Sequence, residues 1–89
     1  RTVKVKVGAL SFEVDLARVA ALRDAVGPEV AIRLDANGAW DPDEAPGYLE
    51  RLAGLGIEFV EDPVAGVEAL AAVRTASPVP IAADETATS

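Results

Sequence analysis

Cysteine, histidine and methionine are all absent from the 89 residues of this chain. Without cysteine there can be no disulfide, and without cysteine or histidine the usual zinc ligands are missing. Any metal site must therefore be built from oxygen ligands, which favour Mg²⁺, Mn²⁺ or Ca²⁺. Because the chain has no methionine and begins at Arg1 within a strand-like run, we interpret it as a piece of a larger protein.

Basic residues are also scarce, since eight Lys and Arg stand against 15 Asp and Glu, for a formal net charge of -7. No basic run occurs, which argues against nucleic acids and anionic membranes as partners. No apolar run is long enough to cross a bilayer, and nothing resembles a signal peptide. We therefore expect a cytoplasmic protein. Apolar residues make up 51% of the chain, which predicts a packed core.

The hydrophobic pattern alternates between two periods along the chain. Period-2 runs predict four strands, at 2–7, 31–35, 57–61 and 81–84. Helical stripes predict helices over about 14–26 and 67–76, with Asp15 and Arg18 off the first stripe. This β-α-β order predicts an α/β fold with a parallel sheet, either a segment of an eight-stranded barrel or a small open sheet.

A further helix is predicted between the second and third strands. Asp41 is placed to cap it, and Glu44 completes a capping box. Pro46 lacks an N–H and clashes with the preceding turn, so this helix either starts late or kinks there. The fold prediction is therefore four strands and three helices.

Alternation also divides the strand residues between two faces. One face is apolar and should be covered by helices; it carries Val3, Val5, Val7, Ile32, Leu34, Val60, Ile81 and Ala83. The other face mixes size and polarity; it carries Lys4, Lys6, Arg33, Asp35, Phe59, Glu61, Ala82 and Asp84. A mixed inner face with polar groups at the strand ends fits barrel strands better than an open sheet.

Three strands end in a carboxylate on the mixed face, at Asp35, Glu61 and Asp84. Parallel α/β sheets keep their chemistry at the carboxyl ends of the strands, where these groups would converge. Buried carboxylates are costly unless they are paired or bound to metal. The alternative is that these acids are ordinary polar residues of the βα loops. That alternative explains three acids in register less well than it would explain one. The pattern favours a divalent cation site.

Lys4 and Lys6 lie two residues apart on the same face of the first strand. Lysines commonly protect an exposed edge strand, and that interpretation stays open. Because both lysines share the face of the carboxylates, either could instead serve as a general base at the mouth.

Four motifs in order resemble barrel strands two to five of the enolase superfamily. They are Lys4-Val5-Lys6, Leu34-Asp35-Ala36-Asn37-Gly38-Ala39-Trp40, Phe59-Val60-Glu61-Asp62-Pro63 and Ile81-Ala82-Ala83-Asp84-Glu85-Thr86. The muconate-lactonizing subgroup is most similar, and within it the o-succinylbenzoate synthase family, mostly through the Asn-Gly-Ala-Trp ending. The resemblance implies that residues 1–89 are a partial C-terminal barrel domain of about strands 2–5, without the capping domain and the remaining strands.

The resemblance also implies roles for individual residues. Mg²⁺, or Mn²⁺ in its place, would be bound by Asp35, Glu61 and Asp84. Lys6 would be the acid/base lysine, and Lys4 would assist it or touch substrate. Flanking positions that could support the ligands are Asn37 and Glu85, although Asn37 is equally well explained as a turn residue. The family's second catalytic lysine lies on a sixth strand, beyond these residues.

The activity implied is removal of the proton α to the carboxylate of a small-molecule substrate, followed by dehydration to o-succinylbenzoate in menaquinone biosynthesis. Another subgroup activity remains an alternative: N-acylamino acid racemase, dipeptide epimerase or cycloisomerase. A non-catalytic fragment is an alternative of a different class. In either case the two edge strands of these 89 residues are expected to associate with other chains.

Overall fold

The computed structural model describes residues 1–83, in which strands and helices alternate along the chain. The strands are β1 (Thr2–Lys6), β2 (Ala31–Asp35), β3 (Ile57–Glu61) and β4 (Ile81–Ala82). The helices are α1 (Phe12–Val26), α2 (Ala45–Leu52) and α3 (Val67–Ala76), and a 3₁₀ turn at Ala53–Leu55 continues α2. The predicted α/β order of four strands and three helices is confirmed.

The four strands form one parallel sheet in the order β1-β2-β3-β4. A doubly wound sheet reverses its strand order at a switch point, whereas a barrel adds each strand beside the last. Strand order that follows the sequence without reversal is therefore the order of a barrel segment. Within residues 1–83, no helix is long and apolar enough to cross a membrane.

The predicted division into two faces agrees with burial. The apolar face is packed under the helices, and its fully buried members include Ile32, Leu34 and Val60. The helices contribute Val19, Leu49, Leu52 and Val73 to the same core. On the opposite face Lys4 and Lys6 are exposed, and Arg33, Phe59 and Glu61 are partly buried. The polar groups therefore share one open face.

A β-bulge interrupts the pairing of β3 with β2 after the first residue of β3. Ile32 pairs with Ile57, but the next residue, Arg33, pairs with Phe59, so Glu58 is an extra residue in β3. The bulge lets Ile57 and Val60, three residues apart, both enter the core. Glu58 turns outward and forms an ion pair with Arg33, whose guanidinium lies 4.9 Å from the centre of the Phe59 ring.

One predicted helix start and one predicted helix cap are wrong. Helix α1 begins at Phe12 rather than near 14, because the Ser11 hydroxyl accepts the Val14 N–H and caps it. The capping box predicted at Asp41 does not form, whereas the predicted late start is confirmed: α2 begins at Ala45, with no side-chain cap. Pro46 fits the first turn of a helix, and the Asp41 carboxylate instead accepts the N–H of Asp43 at 2.8 Å.

The strand ends also differ slightly from the prediction. β1 ends at Lys6 rather than at 7, although the Val7 N–H still donates to the Asp35 carbonyl at 2.9 Å. β4 is described as Ile81–Ala82, shorter than the predicted 81–84.

Residues 1–89 by themselves should associate or aggregate. In the described sheet β1 and β4 are the outer strands, and each presents unpaired backbone groups that can pair with another chain. Light scattering on these 89 residues alone should show species larger than a monomer. A monodisperse monomer with a cooperative melt would contradict this and indicate a self-contained small domain.

Candidate metal centre

One register row crosses the sheet at its carboxyl edge and contains a lysine and two acids. Lys6 pairs with Asp35, Asp35 with Glu61, and Glu61 with Ala82. Parallel pairing puts these Cα atoms side by side. Their side chains therefore project from the open face at the same level along the strands. Asp35 is 7% exposed, and the Glu61 side chain is 19% exposed.

A third acid joins this row from the loop after β3. One carboxylate oxygen from each of Asp35, Glu61 and Asp62 lies within 4.8 Å of the others. Strand alternation points Asp62 to the opposite face, but its φ of 47° is left-handed and breaks the alternation. The sequence reasoning missed Asp62 as a cluster member. In the sequence, the only indication for Asp62 is its position next to Glu61. Pro63 favours an extended backbone at Asp62, which would have kept it on the opposite face.

Asp84 and Glu85, predicted as a third ligand and its neighbour, lie outside the described residues. The backbone just before them is held to the acid cluster, because the Asp62 N–H donates to the Ala82 carbonyl at 2.9 Å.

Asn37 forms the turn that follows β2. Its φ is 49°, a conformation that asparagine tolerates better than most residues. Its backbone N–H donates to the Asp35 carboxylate at 3.0 Å. This is an Asx turn, and it orients one of the clustered carboxylates. Asn37 thus both forms the turn and holds the Asp35 carboxylate, and it does both through its backbone.

The two lysines differ in what they touch. The Lys4 ammonium lies 3.6 Å from a Glu61 carboxylate oxygen, although the Lys4 side chain is 53% exposed. Lys6 stands one inward-facing position closer to the carboxyl edge, in the row of Asp35, and makes no ion pair within the described part of the chain. Lys4 is therefore bound to the acid cluster, whereas the Lys6 amine is available at the mouth.

Backbone hydrogen bonds join the loop after β2 to the loop after β3. The N–H groups of Ala36, Gly38 and Trp40 donate to the carbonyls of Glu61, Asp62 and Pro63, at 3.0, 2.7 and 3.1 Å. This loop ladder extends the pairing of β2 and β3 beyond their last strand residues. It fixes the two segments that present the acids.

The loops after β1 and β2 also approach each other closely, at Gly8. A Cβ at Gly8 would lie 2.7 Å from the Ala39 Cβ and 3.1 Å from the Ala36 carbonyl, and Gly8 has a φ of 100°. Only glycine fits both conditions. A depression of about 230 Å³ lies here, and Lys6 and Asn37 are both among the residues that line it.

The chemistry of this arrangement follows from its donors. Three carboxylates close together repel one another, and a hard divalent cation with oxygen ligands relieves that repulsion. The donor set, which contains no nitrogen or sulfur, suits Mg²⁺ or Mn²⁺. A free amine beside such a site can accept a proton from a carbon acid bound there.

Comparisons with known proteins identify the family of this chain. Residues 1–89 match the family described as enolase C-terminal domain-like. The chain is 50% identical to an o-succinylbenzoate synthase of Thermobifida fusca over 94% of the chain and 27% of that protein. It is 44% identical to an L-Ala-D/L-Glu epimerase of Bacillus subtilis, over 96% of the chain and 24% of the epimerase. The chain thus spans about a quarter of the length of these curated relatives.

Solved structures share the fold. An enolase from Bradyrhizobium, determined in complex with magnesium and mandelic acid, superimposes with a TM-score of 0.91 at 38% identity. The match covers 96% of this chain and 24% of that one. The four parallel strands are therefore a segment of an enolase-type (β/α)₈ barrel. With its whole length matched, the chain belongs to the enolase superfamily, in the enolase C-terminal domain-like family.

Proposed function

We propose that the full-length protein containing this chain is a Mg²⁺-dependent enzyme that removes a proton α to a carboxylate. The observation that carries the proposal is the clustering of Asp35, Glu61 and Asp62 beside the row position of Lys6. A carbon acid next to a carboxylate is very weak. Its ionisation needs both a positioned base and positive charge where the anion develops.

The metal would be held by Asp35 and Glu61 together with a third acid. The resemblance to the superfamily favours Asp84 for that place, and the described geometry offers Asp62. Mg²⁺ bound there supplies the positive charge that stabilises the negative charge developing on the substrate carboxylate. The Asn37 N–H keeps Asp35 oriented toward the cluster.

The reaction we propose is a dehydration that yields o-succinylbenzoate. Lys6 accepts the α-proton, and the electron pair of the broken C–H bond stays on the substrate as a carbanion stabilised by the adjacent carboxylate. That electron pair then forms the new C=C bond as the C–O bond breaks. The resulting Lys6 ammonium returns its proton to the departing hydroxide, which leaves as water. One lysine thereby serves as base and then as acid, and atoms and charge balance.

The 50% identity to an o-succinylbenzoate synthase supports dehydration over other reactions of the superfamily. Dipeptide epimerisation is the second candidate, supported by 44% identity to an epimerase across almost the whole chain. Both begin with the same proton removal. They differ in whether the carbanion loses hydroxide or is reprotonated on the other face.

Turnover assays on the full-length protein separate these reactions. We expect the hydroxylated precursor of o-succinylbenzoate to be converted with loss of water, and Ala-Glu dipeptides to be epimerised much more slowly. The reverse order would assign the epimerase. Inactivity on both substrates, with no solvent deuterium entering the α-carbon of either, would overturn the proposed function.

Metal affinity should depend on the clustered acids. We expect Asp35→Asn and Glu61→Gln each to weaken Mg²⁺ binding to the full-length protein at least about 10-fold, as loss of a direct or supporting ligand group does. Calorimetry on Asp62→Asn and Asp84→Asn then identifies the third acid as the one whose loss matters more. Glu58→Gln, on the bulge, is the matched control and should bind Mg²⁺ like wild type. Unchanged affinity in the Asp35 and Glu61 variants would disprove the site.

A further inference from the structure

Asp15 is a buried acid that the proposed chemistry does not use. It lies in the first turn of α1 and is 2% exposed. Burying an ionised carboxylate is costly unless its oxygens accept hydrogen bonds. Ser11 already caps the helix, so capping does not explain Asp15.

The partners of Asp15 explain why it is buried. One carboxylate oxygen accepts the backbone N–H of Gly8 at 2.8 Å, and the other accepts a guanidinium N–H of Arg18 at 3.0 Å. Arg18 is half exposed, so the bond to Gly8 is the part that requires the buried position. Asp15 thus binds a loop outside its own helix.

The Gly8 N–H stands at the point where β1 stops pairing with β2. The preceding N–H, of Val7, donates to the Asp35 carbonyl, and the next one along the chain donates to Asp15. Consecutive amides are therefore held by β2 on one side and by α1 on the other. Lys6 immediately precedes these two amides. The backbone that carries its side chain is therefore held both by β2 and by α1.

The same anchor holds the contact between two loops. Gly8 touches the loop after β2 so closely that a methyl group would not fit. The depression beside that contact is lined by Lys6 and by Asn37, whose N–H donates to the Asp35 carboxylate. Moving Gly8 therefore moves the base relative to the acids.

We propose that Asp15 is a positioning residue, which sets Lys6 relative to the acid cluster by anchoring the Gly8 backbone. This inference rests on the proposed function of Lys6. It predicts a catalytic effect from a side chain that touches no substrate. Displacement of a reacting group by about 1 Å costs on the order of 10²-fold in rate.

The test compares three variants of the full-length protein. Asp15→Ala should lower kcat by about 10–100-fold, with KM and Mg²⁺ affinity little changed, because the lost interaction orients the base. Asp15→Asn should recover most of kcat, since its amide oxygen still accepts the Gly8 N–H. Arg18→Ala is the matched control: it removes the other partner of Asp15 and should keep wild-type kcat.

Two outcomes would overturn the inference. One is wild-type kcat in Asp15→Ala despite fast hydrogen exchange at the Gly8 amide. The other is equal loss in Asp15→Ala and Asp15→Asn, with KM and Mg²⁺ affinity falling alongside kcat, which would indicate general damage.

A readout without turnover separates this inference from the proposed function. The Lys6 ¹³Cε resonance should shift in Asp15→Ala and stay in place in Arg18→Ala, whatever reaction the protein catalyses. If wild type exchanges no α-proton, the proposed function has failed, and this resonance alone decides whether Asp15 positions Lys6. An unmoved resonance in Asp15→Ala rejects the positioning role.

Discussion

Lys6→Ala in the full-length protein should abolish measurable turnover while Mg²⁺ binding survives. A positioned general base contributes about 10²–10⁴-fold, and here the same amine also protonates the leaving group. The acids that would hold the metal are untouched by the change, because Lys6 makes no ion pair with them within residues 1–83. Steady-state turnover, deuterium exchange at the α-carbon and Mg²⁺ calorimetry together measure this.

Lys4→Ala is the matched control for that variant. Lys4 contacts Glu61 from one position deeper in the sheet, so its loss should disturb the acid cluster yet leave measurable activity. Near wild-type turnover in Lys6→Ala, or undiminished α-carbon exchange, would show that another group is the base.

Arg23→Ala should loosen the opposite, amino-terminal side of the sheet. The Arg23 guanidinium donates to four backbone carbonyls, those of Gly27, Val30, Leu55 and Gly56, at 2.6–3.0 Å. These carbonyls precede β2 and β3, so one side chain fixes both strand entrances. Its loss leaves the acceptors unpaired, which for a half-buried group should cost about 2–4 kcal/mol.

Hydrogen exchange in the full-length protein measures that loss locally. Amides of β2 and β3 should exchange about 30–1,000-fold faster in Arg23→Ala, the equivalent of that free energy. Unchanged protection would mean that the four bonds contribute little to strand stability.

Arg51→Ala controls for the loss of an arginine that pairs with a side chain instead of backbone carbonyls. Arg51 is exposed, pairs with Glu13 and stacks over the Phe12 ring, so we expect much less acceleration. Its hydrogen bond lowers the pKa of Glu13 from the ordinary 4.5. The contribution of this pair is therefore present above that value and lost as the pH falls through the lowered pKa. The Arg23 contribution should persist there, because carbonyls do not titrate in this range.

Much of the site could be predicted from the sequence because side-chain direction in a strand depends only on the parity of the position. Parity alone put Lys6, Asp35 and Glu61 on one face, and the structure pairs them in one row. Parity fails where the backbone departs from regular strand geometry. Glu58 is an extra residue in β3, and no turn residue marks the bulge in the sequence.

Asp62 and Asp15 could not be predicted for two different reasons. Asp62 reaches the cluster through a left-handed backbone that a residue before proline is not expected to adopt. Asp15 and Arg18 are three positions apart on a helix, a spacing typical of surface ion pairs. Asp15 is buried because its carboxylate accepts the N–H of Gly8, in the loop before the helix. The hydrophobic periodicity of the helix does not indicate that contact.

The loop ladder has a consequence for recombining this barrel with its relatives. The bonds from Ala36, Gly38 and Trp40 reach the backbone of the next loop, so neither loop keeps its shape without the other. A chimera that exchanges the segment after β2 alone should lose these pairings at the edge where the acids stand. Exchanging both loops as one cassette preserves them. The natural unit of transplantation is therefore a pair of adjacent loops, whichever reaction the donor protein performs.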